Sequence, residues 1–449
     1  MTLLTGFWPA DPARLLSVLE KLAPERPDIF LTPDATGLPA TCVAGLWPEA
    51  ELRLQPGDGA ERLKGFCFGG SAPGPLSEAP RAHIPGPALG FLSYHAGFSG
   101  LGLPIPPGPP GAFPLGVFRK YRVVLMQDRL NNRVRVLARD PSALAEAVSL
   151  LNHAAASPPM AAAAPTFPGP LDASLDATAY RQAVQQAREA ILDGHVYQLN
   201  LSIRFETGWP DGLDPAQVFW GLGQRHPAHF YALYYDSPYV IVSTSPERFV
   251  RVRGDEVLSQ PIKGTRRAGS DALAAAAALK ASPKEDRELS MIVDLIRNDI
   301  GARCVHGSVA VEGHKSIFLV DGLLQMYSNV QGRLRPGATC LDLLWDALPP
   351  GSVTGCPKKR AAEIIGRLEP HQRDVYCGCM ALVWDENTMD SSVAIRTAVL
   401  DEERKRLAFF AGSGIVVDSD PFLEYQETLA KAEKFFTLIN RHPAEAGEP

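Results

Sequence analysis

The run Ser259-Gln260-Pro261-Ile262-Lys263-Gly264-Thr265-Arg266-Arg267 sets an amine among residues that turn the backbone and offer a hydroxyl. Val257 and Leu258 lead into it as a strand would, and Gly264 is expected to end that strand. A lysine becomes a nucleophile only where its surroundings hold it neutral, by desolvation or by neighbouring positive charge. Two acidic pairs add a second chemistry. Glu285 and Glu288 lie three apart on one expected helix, and Glu424 and Glu427 repeat that spacing on the last helix, so each pair shares a face. Two helices presenting carboxylates into one cleft suit Mg²⁺, which takes hard oxygen ligands and keeps waters and a substrate oxygen. The competing reading is two solvated helix faces, but Met291, Ile292 and Leu295 continue the Glu288 face as an apolar strip. Lys431, one turn beyond Glu427, could serve a bound anion.

Anion recognition has two further candidates. In Ala411-Gly412-Ser413-Gly414-Ile415, strand-end glycines would let backbone N–H groups approach a carboxylate. Arg396, expected on the apolar strand Val393–Thr397, needs an anionic partner, structural or substrate. Other signals fail. Gly351 to Lys358 breaks the phosphate-loop spacing at Pro357. Gly65-Phe66-Cys67-Phe68-Gly69 imitates the nucleophile turn of a class I amidotransferase, with His442 and Glu445 as distant partners, yet no strand–turn–helix surrounds Cys67.

The elements that must position these groups can be read from periodicity. Helices are expected at 178–192, 284–299, 357–368 and 421–439. Strands are expected at 88–94, 121–126, 134–137, 196–205, 230–235, 239–244, 247–252, 308–312, 324–333, 378–384, 392–399 and 406–411. Runs of strands with single helices between them favour an α/β fold of the α+β type, with mixed, mostly antiparallel sheets. The Ala/Pro-rich stretch 154–170 reads as a linker between an N-terminal region, 1–153, and a catalytic domain, 171–441, with a tail at 442–449.

Composition narrows the class. The chain has 449 residues, 45% of them hydrophobic, enough for a sizeable core. A net charge of −6 argues against a nucleic-acid surface. No apolar run approaches the ~20 residues that span a bilayer. Seven cysteines, an odd number, do not suggest a disulfide framework, and the Cys377-Gly378-Cys379 spacing does not suit zinc. The N-terminus lacks a basic leader, so a cytoplasmic setting is expected.

Taken together, the motifs resemble the chorismate-utilising enzymes. The matching stretches include Gly194–Ser202, Ser245-Pro246-Glu247-Arg248-Phe249, Pro261–Thr265, Glu288–Gly301 and Pro350–Lys358. They continue through Ala394-Ile395-Arg396-Thr397, Gly412–Val416, and Glu424-Tyr425-Gln426-Glu427-Thr428 with Lys431. The resemblance implies a sandwich of large sheets with flanking helices, and chorismate as substrate. Glu288 and Glu427 would bind Mg²⁺, with Glu285 and Glu424 close by. Ser352, Tyr376, Arg396, Gly412, Ser413, Gly414 and Lys431 would hold the substrate, Gly264 and Thr265 would line its ring, and Glu247 would be the acid at its C4 hydroxyl.

Two positions sort the members. Where relatives that activate water carry lysine, this chain has Gln198, which cannot be a general base and indicates a ready-made nucleophile such as ammonia. Where anthranilate synthases carry alanine, it has Lys263, the mark of the C4-aminating branch with its covalent lysine. That branch implies a separate glutamine amidotransferase subunit as the ammonia source. Histidine is usual where this chain has Gln325, so aromatisation is not expected. The nearest rival reading is C2 amination, as in anthranilate or 2-amino-2-deoxyisochorismate synthases. A second rival is a non-catalytic relative, which should have lost the acids retained here at Glu247, Glu288 and Glu427.

Overall fold

The computed structural model describes residues 3–8, 12–33, 39–69, 86–107, 112–128, 133–157, 166–226, 228–268, 271–320 and 323–441. His442, Glu445, the expected tail and the middle of the expected linker fall outside them, as does the Thr265 side chain. Every strand pairing among the described residues is antiparallel.

Two sheets fan out from one strand, Gly116–Asp128. One runs through Pro39–Arg53, Asp28–Pro33, Tyr231–Asp236, Tyr239–Ser243, Thr397–Asp401 and Arg406–Ile415 to Gln198–Gly208. The other runs through Ala88–Leu92, Cys379–Asp385, Thr388–Val393, Arg248–Arg253 and Glu256–Gln260 to Leu323–Arg333, which also carries Ile262–Arg267. Phe30, Ile241 and Val399 of the first sheet pack on Leu89, Phe91 and Met380 of the second. Period-two alternation lets each strand also feed an outer core, covered by helices. Ala177–Leu192 and Pro421–Leu438 cover the first sheet, and Pro283–Gly301 and Cys340–Ala347 the second.

The expected 154–170 stretch begins inside a helix, Pro141–Ala156, capped by the Asp140 carboxylate, and Phe167 is buried against Trp209. Three local expectations are corrected. Gly264 does not end its strand. Ladder pairing shifts between Lys263 and Thr265, so Gly264 is the bulged residue, at φ 68°, and the strand runs on to Arg267. Gly412 and Gly414 lie within a strand, paired with Ser202 and Asn200, and do not terminate it. The strand expected at 392–399 breaks at Arg396, where φ is +52°. The left-handed turn carries the chain from one sheet to the other, and Thr244 donates its N–H and hydroxyl to the Arg396 carbonyl.

Candidate active site

The free ends of both sheets enclose a cavity of about 360 Å³. Lys263 and Gly264 reach it from the bulged strand, and Asn200, Ala411 and Gly412 from the facing sheet. Glu285 and Glu288 enter from the helix Pro283–Gly301, whose N-terminus is capped by Ser282, and Glu427 and Lys431 from the helix Pro421–Leu438. The bulge has a steric reason. A Cβ on Gly264 would stand 2.8 Å from Glu285 Oε2, and one on Gly414 would stand 3.2 Å from Lys263 Nζ. Glycine at these two positions lets the amine and the carboxylate approach the backbone.

Glu247 is the carboxyl in the cavity wall that burial perturbs. It is 4% exposed, and burial raises its carboxyl to about 7, against the opposing effects of the Ser352 hydrogen bond and the Lys263 charge. Ser352 Oγ donates to Glu247 Oε1 at 2.7 Å. A carboxyl near 7 is half protonated at neutral pH and so can donate a proton. The Ser352 turn is itself anchored. Asp299, whose carboxylate stands against Gly351, pairs with Lys358 at 2.8 Å. Arg373, fully buried, donates to the Val353 carbonyl at 3.0 Å and the Asn200 carbonyl at 2.6 Å while gripping both oxygens of Glu369.

Cations gather on one side of the cavity. Lys431 Nζ lies 2.7 Å from Glu427 Oε1 and donates to the Gly412 carbonyl at 3.1 Å. Arg396 Nη1 donates to the Lys431 backbone carbonyl at 2.7 Å, which ties its guanidinium to that helix. Tyr376 closes the floor, stacked on Phe410 with rings 8° apart. Such a wall can hold two carboxylates, with a nucleophilic amine and an acid between them.

Eleven of the expected site residues therefore converge: Glu247, Lys263, Gly264, Glu285, Glu288, Ser352, Tyr376, Arg396, Gly412, Glu427 and Lys431. Gln198 is buried two residues before Asn200 on the same strand face, outside the lining. Gly414 touches the site through Lys263. The side chain of Ser413 points away, because alternation turns it to the helix side, where it meets the Tyr180 hydroxyl at 3.0 Å. Glu424 is buried beneath the Ser419 hydroxyl, which donates to it at 2.7 Å, and stands outside the cavity wall. Asn200 and Phe410 were missed. Asn200 was legible as the position two beyond Gln198, whereas Phe410 carries no chemical signal in sequence.

The carboxylates fit a hard cation, since among the described residues no thiol or imidazole lines the cavity. Among the described residues no three His, Cys, Asp or Glu side chains hold a metal by themselves, so water and ligand oxygens would have to complete its shell. Cys67 lies within the helix Ala60–Phe68, and burial pushes its thiol up to about 12, unsuited to nucleophilic work. A second cavity, of about 530 Å³ between Arg204, Asp374 and Arg406, contains none of the expected residues. No helix among the described residues is long and apolar enough to cross a membrane.

Comparison with known proteins agrees with this geometry. The family model described as "chorismate binding enzyme" matches residues 38–437. Anthranilate synthase component 1 of Streptomyces coelicolor is 33% identical over 393 residues, covering 83% of this chain and 76% of that protein. Aminodeoxychorismate synthase component 1 of Klebsiella aerogenes is 34% identical over 368 residues, covering 80% and 79%. The crystal structure of anthranilate synthase component I from Streptococcus pneumoniae superposes with a TM-score of 0.74 at 28% identity, covering 88% of this chain and 92% of that one. Since the matched region carries both the sandwich and the residues that line its cavity, the chain belongs to the chorismate binding enzyme family and is a chorismate-converting enzyme.

Proposed function

We propose that the chain converts chorismate and ammonia to 4-amino-4-deoxychorismate, with ammonia supplied by a separate glutaminase subunit. One observation carries the reading: Lys263 presents its amine to the same cavity as the acid Glu247, at a glycine-cleared spot beside Gly414. The Lys263 amine adds to C2 through its nitrogen lone pair. The ring double bonds shift, the C4–O bond breaks, and protonated Glu247 gives its proton to the departing hydroxyl, which leaves as water. Ammonia then adds at C4, the double bonds shift back, and the C2–N bond to Lys263 breaks. Proton loss from the incoming ammonia restores Glu247. Arg396 and Lys431 hold the substrate carboxylates, and Tyr376 borders the ring.

Glu288 and Glu427, with Glu285, would hold Mg²⁺, which when bound supplies positive charge to a ring carboxylate acting as electron sink. Glu424 falls outside that set. A second reading, C2 amination, is favoured by the anthranilate synthases among the similar proteins. Incubation with chorismate, Mg²⁺ and ammonium, followed by assignment of the carbon that bears nitrogen, separates the two. A C4 amine is expected, and a C2 amine would sink the assignment. Lys263→Ala should cost at least about 10²-fold in kcat. Undiminished C4 amination in that variant would remove the covalent role while leaving the family untouched.

A further inference from the structure

Two amides line the cavity with a polar atom left over, one from each sheet. Gln325 is 5% exposed, and its Oε1 meets no hydrogen-bond partner among the described residues. Asn200 is 8% exposed, and the same holds for its Nδ2. No other cavity-lining residue has such an atom among those described. Asn200 pairs with Gly414 across the ladder and so shares its face, beside the Lys263 amine. Gln325 sits on Leu323–Arg333, paired with Thr265 next to the Gly264 bulge.

A buried donor or acceptor left unpaired lowers stability, and native proteins keep few of them without a use. Arg396 and Lys431 meet carboxylates and Glu247 gives its proton to the hydroxyl oxygen, which leaves the hydroxyl proton without an assigned acceptor and the ether oxygen without an assigned donor. Chorismate as a dianion carries a single hydrogen-bond donor, its ring hydroxyl, together with an ether oxygen that only accepts. We propose that Gln325 and Asn200 bind these uncharged oxygens. Gln325 Oε1 accepts from the ring hydroxyl, and Asn200 Nδ2 donates to the ether oxygen. The inference rests on chorismate as ligand and is independent of which carbon is aminated. Hydroxyl recognition by a buried amide also orients the C–O bond that must break, because the hydroxyl lone pairs are then turned away from Gln325 and towards an acid.

The test pairs stability with affinity in the full chain, using Gln325→Met and Asn200→Leu, near-isosteric replacements without the polar atoms. Chorismate binding is measured by titration calorimetry in Mg²⁺ without ammonium, alongside Tm. Each variant is expected to hold or raise Tm while weakening chorismate about tenfold. Raised Tm with affinity within twofold of the parent would make the amides structural orphans and overturn the proposal. A change confined to the ammonium KM of Gln325→Met would give that acceptor to ammonia and overturn the hydroxyl assignment. Should either variant not fold, the parent itself decides. It should bind an analogue with hydrogen in place of the ring hydroxyl at least about tenfold more weakly, and equal affinity would refute the role of Gln325. A C2-aminated product would instead sink the C4 assignment and leave these binding results standing.

Discussion

Burial makes Glu247 an acid at neutral pH, and the same burial sets its cost to the fold. Its carboxyl titrates at about 7 in the folded chain against 4.5 as a free group. The unfolded state therefore loses this proton first, and stability falls between these two pH values as pH rises. Glu247→Gln removes the dependence. Its Tm relative to the parent should be greater at pH 8 than at pH 4, by the equivalent of roughly 3 kcal/mol, as thermal melts at the two pH values will show. Activity moves the other way. The variant should lose about 10²–10⁴-fold in kcat, and the parent's rate should fall as pH rises through 7. Ser352→Ala withdraws a hydrogen bond that favours the carboxylate, so the alkaline limb of the pH–rate profile should shift to higher pH. A downward shift would contradict the assigned direction. At this scale the sequence was most informative, because Lys263, Glu288 and Arg396 are chemical types that stand out wherever the backbone puts them. The raised carboxyl of Glu247 was not legible, since it depends on burial by residues distant in sequence.

Helices and strands bring these groups within reach, and glycine decides how closely. Gly264→Ala would force a side chain onto a left-handed backbone and into Glu285. A loss of about 1–3 kcal/mol in denaturant melts is expected, together with at least tenfold lower activity. Gly414→Ala is a milder probe, since its methyl would press on the tip of a flexible lysine. Here the melt should change little while turnover falls, and unchanged kinetics would show that the amine needs no such clearance. The helices were readable because caps and apolar periodicity are local: Asp176, Ser282 and Asp420 each accept from the first turn of the helix they precede. The break at Arg396 was not readable. Val393-Ala394-Ile395-Arg396-Thr397 has strand chemistry throughout, and its left-handed residue is imposed by the crossing between sheets. Ser413 failed for a related reason, because adjacent strand residues face opposite ways and a glycine-flanked serine does not announce which side is the cavity.

As a whole molecule, the chain joins strands from both sides of the Ala/Pro-rich stretch in the same sheets. Asp28–Pro33 lies between Pro39–Arg53 and Tyr231–Asp236, and Ala88–Leu92 is bonded to Cys379–Asp385, so early strands are interior members of both sheets. Asp28 accepts the Tyr235 N–H and pairs with Arg119, itself paired with Asp236. A fragment starting at residue 171 would expose two long strand edges. It should aggregate, and circular dichroism with size-exclusion chromatography will show whether it does. A monomeric folded fragment would refute that dependence. The shared strand Gly116–Asp128 has a further consequence. In the first sheet, seven inter-strand steps separate it from the strand of Asn200, on the order of 30 Å at normal strand spacing. The sheets act as the two covers of a book bound at that strand, with the substrate held at the fore-edge. A rotation of one degree at the spine moves the fore-edge by about 0.5 Å over that span, comparable to the tolerance of a catalytic constellation. The buried residues between the covers, Phe91 and Ile241 among them, therefore set the gauge of a site they never touch.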